Sequence, residues 1–121
     1  MAKAGCIQFI RHEGIQILVV DVSHCPAAEV EKVLREVPNT VTAHPPGSLL
    51  LLADFTGAYF DGHALMALKE AAVFDKPYIR KSAWIGAEHI LEIRDLVSRY
   101  ARRDFPTFKT RYEALNWLVK D

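Results

Sequence analysis

The fold is decided by the stretch Ser48-Leu49-Leu50-Leu51-Leu52-Ala53-Asp54-Phe55-Thr56-Gly57. It begins directly after Pro45-Pro46-Gly47, and its apolar run ends in an acid, a hydroxyl residue and a glycine. A run of this length between turn residues is typical of a strand that is buried on both faces, as in the parallel sheet of an α/β domain. Ligands and regulatory groups of such sheets gather beyond the carboxyl ends of the strands. The stretch therefore predicts a candidate site at Asp54, Thr56 and Gly57.

The segments before this strand predict a β-hairpin followed by a helix. Residues 7–10 and 15–20 are apolar runs separated by a turn at Glu13-Gly14, which is the pattern of two antiparallel strands. Pro26 suits the first turn of a helix, and apolar residues recur at helical spacing as far as Val37. Pro38 is expected to break or kink this helix.

The segments after the strand alternate between helix and strand. Asp61 is a good N-cap for a helix that ends at Lys76-Pro77. A strand over 78–86, a helix from about 87 to 102 and a short strand at 105–108 follow. Thr110 with Glu113 is a capping-box signature for a last helix. The order β-β-α-β-α-β-α-β-α predicts one α/β domain over residues 1–121, with a hairpin and a mostly parallel sheet covered by about four helices.

Composition and charge restrict the partners. The chain has 121 residues, with 15 Lys and Arg against 15 Asp and Glu, so we expect a single core and no nucleic-acid partner. The basic residues of the second half are interleaved with acids, which favours a solvated, salt-bridged surface. No apolar stretch approaches the roughly 18–20 residues that span a bilayer, and the start lacks the features of a signal peptide. We expect a cytoplasmic protein in which Cys6 and Cys25 are reduced thiols.

Several motifs together carry a resemblance to a known family. They are Pro45-Pro46-Gly47-Ser48-Leu49-Leu50, Asp54-Phe55-Thr56-Gly57-Ala58, Leu68-Lys69-Glu70-Ala71-Ala72, Lys76-Pro77-Tyr78 and Trp84-Ile85-Gly86. On these motifs, residues 6–119 resemble the SpoIIAA-like family, small bacterial proteins related to STAS domains. The resemblance implies a single-domain STAS/SpoIIAA-like fold.

The resemblance also implies a mode of action. STAS domains such as anti-sigma-factor antagonists generally bind a partner protein without catalysis, and a kinase switches them off by phosphorylating a Ser in an Asp-Ser-Ser-Gly type turn. Asp54-Phe55-Thr56-Gly57 occupies the corresponding place, which puts Thr56 at the position of phosphorylation. The chain departs from that pattern because Phe55 replaces a small hydroxyl residue and Ala58-Tyr59-Phe60 precedes the predicted N-cap. The implied loop that contacts a ligand or partner includes Asp54, Thr56, Gly57, Tyr59, Phe60 and Asp61.

A second class of function comes from a further resemblance. The same fold family resembles CRAL-TRIO lipid-transfer domains, which hold an apolar ligand between sheet and helix. This implies a carrier or sensor of a lipid or another apolar small molecule, with Phe60, Phe74 and Trp84, together with Tyr59, lining its pocket. Arg102-Arg103 near Phe105 leaves open a peripheral contact with anionic membrane headgroups, and a homodimer is also left open.

The remaining residues predict neither catalysis nor a cofactor or metal. Asp54 is a lone acid unless Asp21, at the end of another strand, lies beside it, and an enzymatic interpretation would need these two to converge. The five histidines show no zinc-binding spacing, and neither a Gly-rich phosphate loop nor a Gly-x-Ser-x-Gly elbow is present. Cys25 has no orienting partner in the sequence. We therefore predict a non-catalytic regulatory or protein-interaction module whose contact surface surrounds the 54–61 loop and the following helix.

Overall fold

The structure, a computed structural model, describes residues 5–120, which build a mixed sheet with helices on both faces. The strands are β1 (Ile7–His12), β2 (Ile15–Asp21), β3 (Leu49–Asp54), β4 (Ile79–Ile85) and β5 (Thr107–Phe108). They lie in the order β1-β2-β3-β4-β5. β1 and β2 form the antiparallel hairpin, and the pairings from β2 to β5 are parallel. The decisive apolar run is thus the central strand, and all its residues are buried.

The helices cover the sheet unequally. They are α1 (Ala27–Val41), α2 (Gly62–Asp75), α3 (Leu91–Ala101) and α4 (Arg111–Val119). Leu49, Leu51 and Ala53 of β3 join a core with buried residues of α1, α2 and α3. Leu50 and Leu52 join a smaller core with α4. Because side chains of a strand alternate between its faces, a strand between two helical layers must be apolar on both faces, as residues 49–53 of this one are.

The predicted order of elements and the fold class are confirmed, but the break expected as one of two outcomes at Pro38 does not occur. α1 continues through Pro38 to Val41. Proline in a helix removes one N–H donor and crowds the preceding turn, yet Val37 and Val41 on either side are buried in the core. Thr42 closes this last turn, since its N–H and hydroxyl both donate to Pro38 O, at 3.1 and 2.9 Å. Packing therefore outweighs the local penalty.

Other boundaries differ by less. The predicted helix from residue 87 begins as a single 3₁₀ turn, Glu88–Ile90, before α3. The predicted strand at 105–108 is reduced to Thr107–Phe108, because Phe105 turns inward and stacks on Trp84 at a ring distance of 4.8 Å. The predicted caps are present: Asp61 accepts from Ala64 N–H at 2.8 Å, and Thr110 accepts from Glu113 N–H at 3.1 Å.

Two observations bear on the expected environment of the chain. Cys6 and Cys25 are both buried, and neither forms a disulfide bond. Among residues 5–120, no helix combines the length and the apolar character that crossing a bilayer requires.

Candidate functional site

The site centres on two carboxylates at the carboxyl ends of neighbouring strands. Asp21 ends β2, Asp54 ends β3, and they are direct partners in the parallel register. Nη2 of Arg111 lies 3.3 Å from Oδ2 of Asp54 and 3.7 Å from Oδ2 of Asp21. Adjacent carboxylates repel each other, so a shared guanidinium makes their proximity favourable. The two acids converge, but a cation accompanies them.

Thr56 is bound tightly to Asp54. Its backbone N–H donates to Oδ1 of Asp54 at 3.0 Å, and its hydroxyl donates to the same oxygen at 2.7 Å. The first of these is the Asx-type contact that Asp residues favour in turns. Asp54 is only 9% exposed, whereas Thr56 is exposed. Thr56 is therefore an exposed residue whose hydroxyl donates to a buried carboxylate.

The loops after β2, β3 and β4 interlock around Thr56. His24 has a φ of 57° and donates its N–H to Thr56 O at 2.7 Å. Gly57, with a φ of +62°, lies so close that a Cβ there would be 2.5 Å from Nδ1 of His24. Gly86, with a φ of +66°, has no room either, since a Cβ would overlap the Thr56 side chain and lie 2.5 Å from its Cα. Thr56 is thus held by backbone from both neighbouring loops.

The other predicted loop residues lie between Thr56 and α2. Tyr59 is 67% exposed, and its N–H donates to Cys25 O at 3.1 Å. Phe60 is half-buried against Phe55, with 5.8 Å between ring centres. Asp61 caps α2. Residues 57–61 separate Thr56 from the first residue of α2, so its hydroxyl is not at the helix N-terminus.

The predicted apolar pocket residues are only partly brought together, since Phe60 and Trp84 both pack on Phe55 but Phe74 does not join them. Trp84 is 2% exposed and packs between Phe55 and Phe105 in the core. Phe74 is 49% exposed on the outside of α2 and stacks near Tyr78. The lipid-carrier function and the membrane contact stay predictions, and the arrangement of these side chains adds no support to them.

A second polar cluster lies in the core near the end of α2, and sequence reasoning missed it. Asp75 is 4% exposed, and its Oδ1 has no hydrogen-bond partner among residues 5–120. Burial raises the pKa of Asp75 to about 7, although the charge of Arg103 opposes this, and burial lowers the pKa of Arg103. Arg103 donates to Ala72 O at 2.7 Å and to Ser82 Oγ at 2.6 Å. These side chains border a cavity of about 40 Å³ that is otherwise mainly apolar.

Arg111 also belongs to the site, although its sequence context predicts only a solvated surface residue. The signal was its position immediately after a strand. β5 runs parallel to β4, so the chain that follows β5 emerges at the same edge as Asp21 and Asp54. Thr110 then starts α4, which fixes Arg111 in the first turn above the two acids.

The chemistry of the site is that of hydrogen bonding and charge pairing. Among the described residues, no group of three or more His, Cys, Asp and Glu side chains is arranged to hold a metal ion. The groups that meet at the surface are a threonine hydroxyl, two carboxylates and one guanidinium. They can order a loop, accept a proton from Thr56 or respond to an added charge.

The architecture belongs to a recognisable class, a SpoIIAA/STAS-like α/β fold. No protein-family model matches the chain, and no curated protein matches it. One similar solved structure is an uncharacterised DUF3478-family protein with a SpoIIAA-like fold from Shewanella loihica, with a TM-score of 0.72 and 17% identity over 93% of this chain and 92% of that one. Another is an anti-sigma-factor antagonist (STAS) domain protein from Planctomyces limnophilus, with a TM-score of 0.64 and 16% identity over 94% and 98% of the two chains. The fold that the sequence resemblance implied is confirmed.

Proposed function

We propose that this protein is a non-catalytic regulatory module that binds a partner protein through the 54–61 loop and the outer face of α2. The observation that carries the proposal is that α2 is apolar on both of its sides. Its inner side is buried and includes Ala64, Leu68 and Ala72. Its outer side exposes Met66, Val73 and Phe74 to 46%, 48% and 49%.

The exposed side chains form one surface. Residues seven or eight positions apart lie on the same side of a helix, so Met66, Val73 and Phe74 face the same direction. Tyr59, 67% exposed, precedes the start of the helix. Between them Glu70 is paired with Arg35 at 2.8 Å. An apolar patch with polar neighbours is the usual composition of a protein-binding surface.

The similar structures support the same class of function. The Planctomyces limnophilus protein is named as an anti-sigma-factor antagonist domain protein, and its fold is shared along nearly the whole chain. One fold hosts many functions, so the argument for this chain depends on its own exposed helix face and loop.

Phosphorylation of Thr56 is the regulation that the loop geometry favours. Thr56 is an exposed residue, and Oδ1 of Asp54, 2.7 Å from its hydroxyl oxygen, is placed to take the proton. The product would lose that hydrogen bond and put about −1.5 to −2 charges beside a carboxylate. Since Gly86 packs closely against Thr56, a bulky phosphate on Thr56 would make the loop rearrange, and the binding surface beside it would change.

The binding surface is tested by affinity capture from the native host with Met66→Glu. A charge in the centre of an apolar interface should weaken binding of a captured partner by at least about tenfold. Leu91→Glu is the matched control, because Leu91 is 41% exposed but lies on α3. A partner that is retained equally by both variants would contradict the proposed surface.

The switch is tested on the same partner with Thr56→Asp and Thr56→Val. Both variants remove the hydroxyl donor, but only Thr56→Asp adds a negative charge next to Asp54. Regulation by phosphate predicts that Thr56→Asp weakens binding far more than Thr56→Val. Equal affinities would exclude a charge-operated switch and leave the binding surface itself untouched.

A further inference from the structure

The outer edge of β4 has a partner strand only at its carboxyl end. β5 pairs only with Trp84 and Ile85, at the end of β4. Among the described residues, no strand pairs with residues 79–83 on that side. The cause lies in the sequence, because Pro106 has no N–H to offer a ladder and Phe105 is drawn into the core against Trp84. β5 therefore cannot extend backwards along its neighbour.

Backbone groups of β4 beyond the end of β5 face the same side as the groups that pair with β5. Trp84 N–H donates to Pro106 O at 2.9 Å, so the amide of Trp84 faces the outer side. Amide groups alternate along a strand, and the main chain of Ser82 therefore faces the same side. An added strand would begin where β5 ends its pairing.

The open edge is the floor of a groove. Its volume is about 850 Å³, and its walls include Ser98 of α3 and Trp117 of α4. The indole of Trp117 lies under the Lys81 ammonium, 4.2 Å from its ring centre, and also packs on Phe108 at 5.6 Å. The groove thus offers apolar contact area beside a row of backbone groups, which is what an extended peptide requires.

The charge of the groove is basic. Two of its lining residues, Asp95 and Asp104, are acidic. Arg94 is paired with Asp95 at 2.9 Å, and Arg103 donates to the uncharged Ala72 O and Ser82 Oγ. Its basic lining residues are five, namely Lys76, Arg80, Lys81, Arg94 and Arg103.

Arg80 occupies a special position in this groove. The register of β3 and β4 steps from Leu49↔Ile79 to Leu50↔Lys81, which makes Arg80 the extra residue of a bulge. Its side chain is exposed, and within residues 5–120 it makes no ion pair. A bulged, exposed arginine at a sheet edge is available to an acidic side chain of an incoming segment.

We propose that the edge of β4 binds an extended, acidic segment of a partner protein as an added strand. The ladder and Trp117 provide affinity, and the basic walls select acidic side chains. A second copy of this chain is disfavoured because it would bring two basic edges together, and charged edges are a known protection against such pairing. This surface does not include the outer face of α2, so it does not depend on the function proposed above.

The test uses a fluorescent peptide of about nine alternating Val and Glu residues, long enough to cover the five edge positions 79–83 with residues to spare, and its Val-Lys counterpart. Fluorescence anisotropy measures binding to the full chain, and NMR follows the amides of residues 79–83. We expect only the acidic peptide to bind, with shifts at the edge amides. Arg80→Glu should weaken it by about tenfold and Arg99→Glu, an exposed arginine of α3 outside the groove, by less than about twofold. Lys76→Glu provides a second groove variant.

Each alternative result would overturn the proposal. No binding, equal binding of the Val-Lys peptide, or equal effects of Arg80→Glu and Arg99→Glu would remove the charge argument. Shifts confined to the 54–61 loop would place the peptide elsewhere. Tighter binding of a single-stranded oligonucleotide, or a peptide-free dimer with altered edge amides, would identify a different occupant. Met66→Glu should leave peptide binding unchanged, so this test fails or succeeds separately from that of the partner surface.

Discussion

Asp54 and Asp75 are two buried aspartates of the same domain with opposite surroundings. Asp54 is 9% exposed, accepts two hydrogen bonds from Thr56 and has Arg111 at 3.3 Å. Asp75 is 4% exposed, and its Oδ1 has no partner among the described residues. Arg103, whose charge acts on Asp75, donates its hydrogen bonds to Ala72 O and Ser82 Oγ. Similar burial therefore has very different consequences for the two carboxyl groups.

The comparison shows that partners rather than depth decide whether a buried acid stabilises a fold. A carboxylate that receives hydrogen bonds and a counter-charge holds its loop in place. A carboxyl group in apolar surroundings favours its neutral form, which is why the pKa of Asp75 rises to about 7. The charge of Asp54 therefore helps to hold its loop in place, whereas a charge on Asp75 would destabilise the fold.

The largest expected effect is a decline of stability with pH that depends on Asp75. Its pKa rises from 3.8 in the unfolded chain to about 7 in the folded one, so folding favours the protonated form. The contribution of Asp75 to the free energy of unfolding should be largest below about pH 4, fall by up to roughly 4 kcal/mol as the pH rises to about 7, and then level off. Urea unfolding at several pH values measures this decline.

Asp75→Asn isolates the effect, because the amide cannot ionise. The variant should lose this decline, so its stability relative to the natural chain should rise across the same pH range. Burying the new amide changes the free energy of unfolding by the same amount at every pH, so it does not alter the pH dependence. Asp104→Asn, at an exposed acid, is the control and should keep the decline. If Asp75→Asn kept the pH profile of the natural chain, the pKa of Asp75 would not be raised by folding.

The next effect concerns the loops that hold Thr56 over Asp54, and two glycines provide a matched pair. Gly47 and Gly86 share a φ of +66°, but a Cβ has open space at Gly47 and overlaps Thr56 at Gly86. Gly47→Ala should cost only the backbone strain, about 1 kcal/mol. Gly86→Ala should cost about 3 kcal/mol and also shift the NMR signals of Thr56. If thermal unfolding showed equal losses of stability for the two variants, the loops would rearrange at little cost. Thr56 would then not be held rigidly over Asp54.

The sequence predicted the fold better than it predicted these surroundings. Residues 49–53 identified the central strand, because an apolar run has few other solutions in an α/β domain. Asp61 and Thr110 marked helix starts through local hydrogen bonds that their spacing reveals. The electrostatic interaction of Asp75 with Arg103 and the close approach of Gly86 to Thr56 join distant parts of the chain without any periodic signal. Register and helix docking determine them, so only the structure shows them.

The smallest expected effect tests the cation on the Asp54 side. Arg111→Ala leaves Asp21 and Asp54 as unshielded neighbours, but the Arg111 side chain is 39% exposed, so water and salt replace part of its charge. We expect a loss of about 1 kcal/mol or less at low ionic strength, and clearly less at high salt. In an Asp21→Asn background the same substitution should cost less, because one of the two repelling charges is gone. Urea unfolding of the four proteins of this cycle gives the coupling. A loss that is independent of salt and of Asp21 would mean that Arg111 acts through packing, and Asp54 would then depend on Thr56 alone.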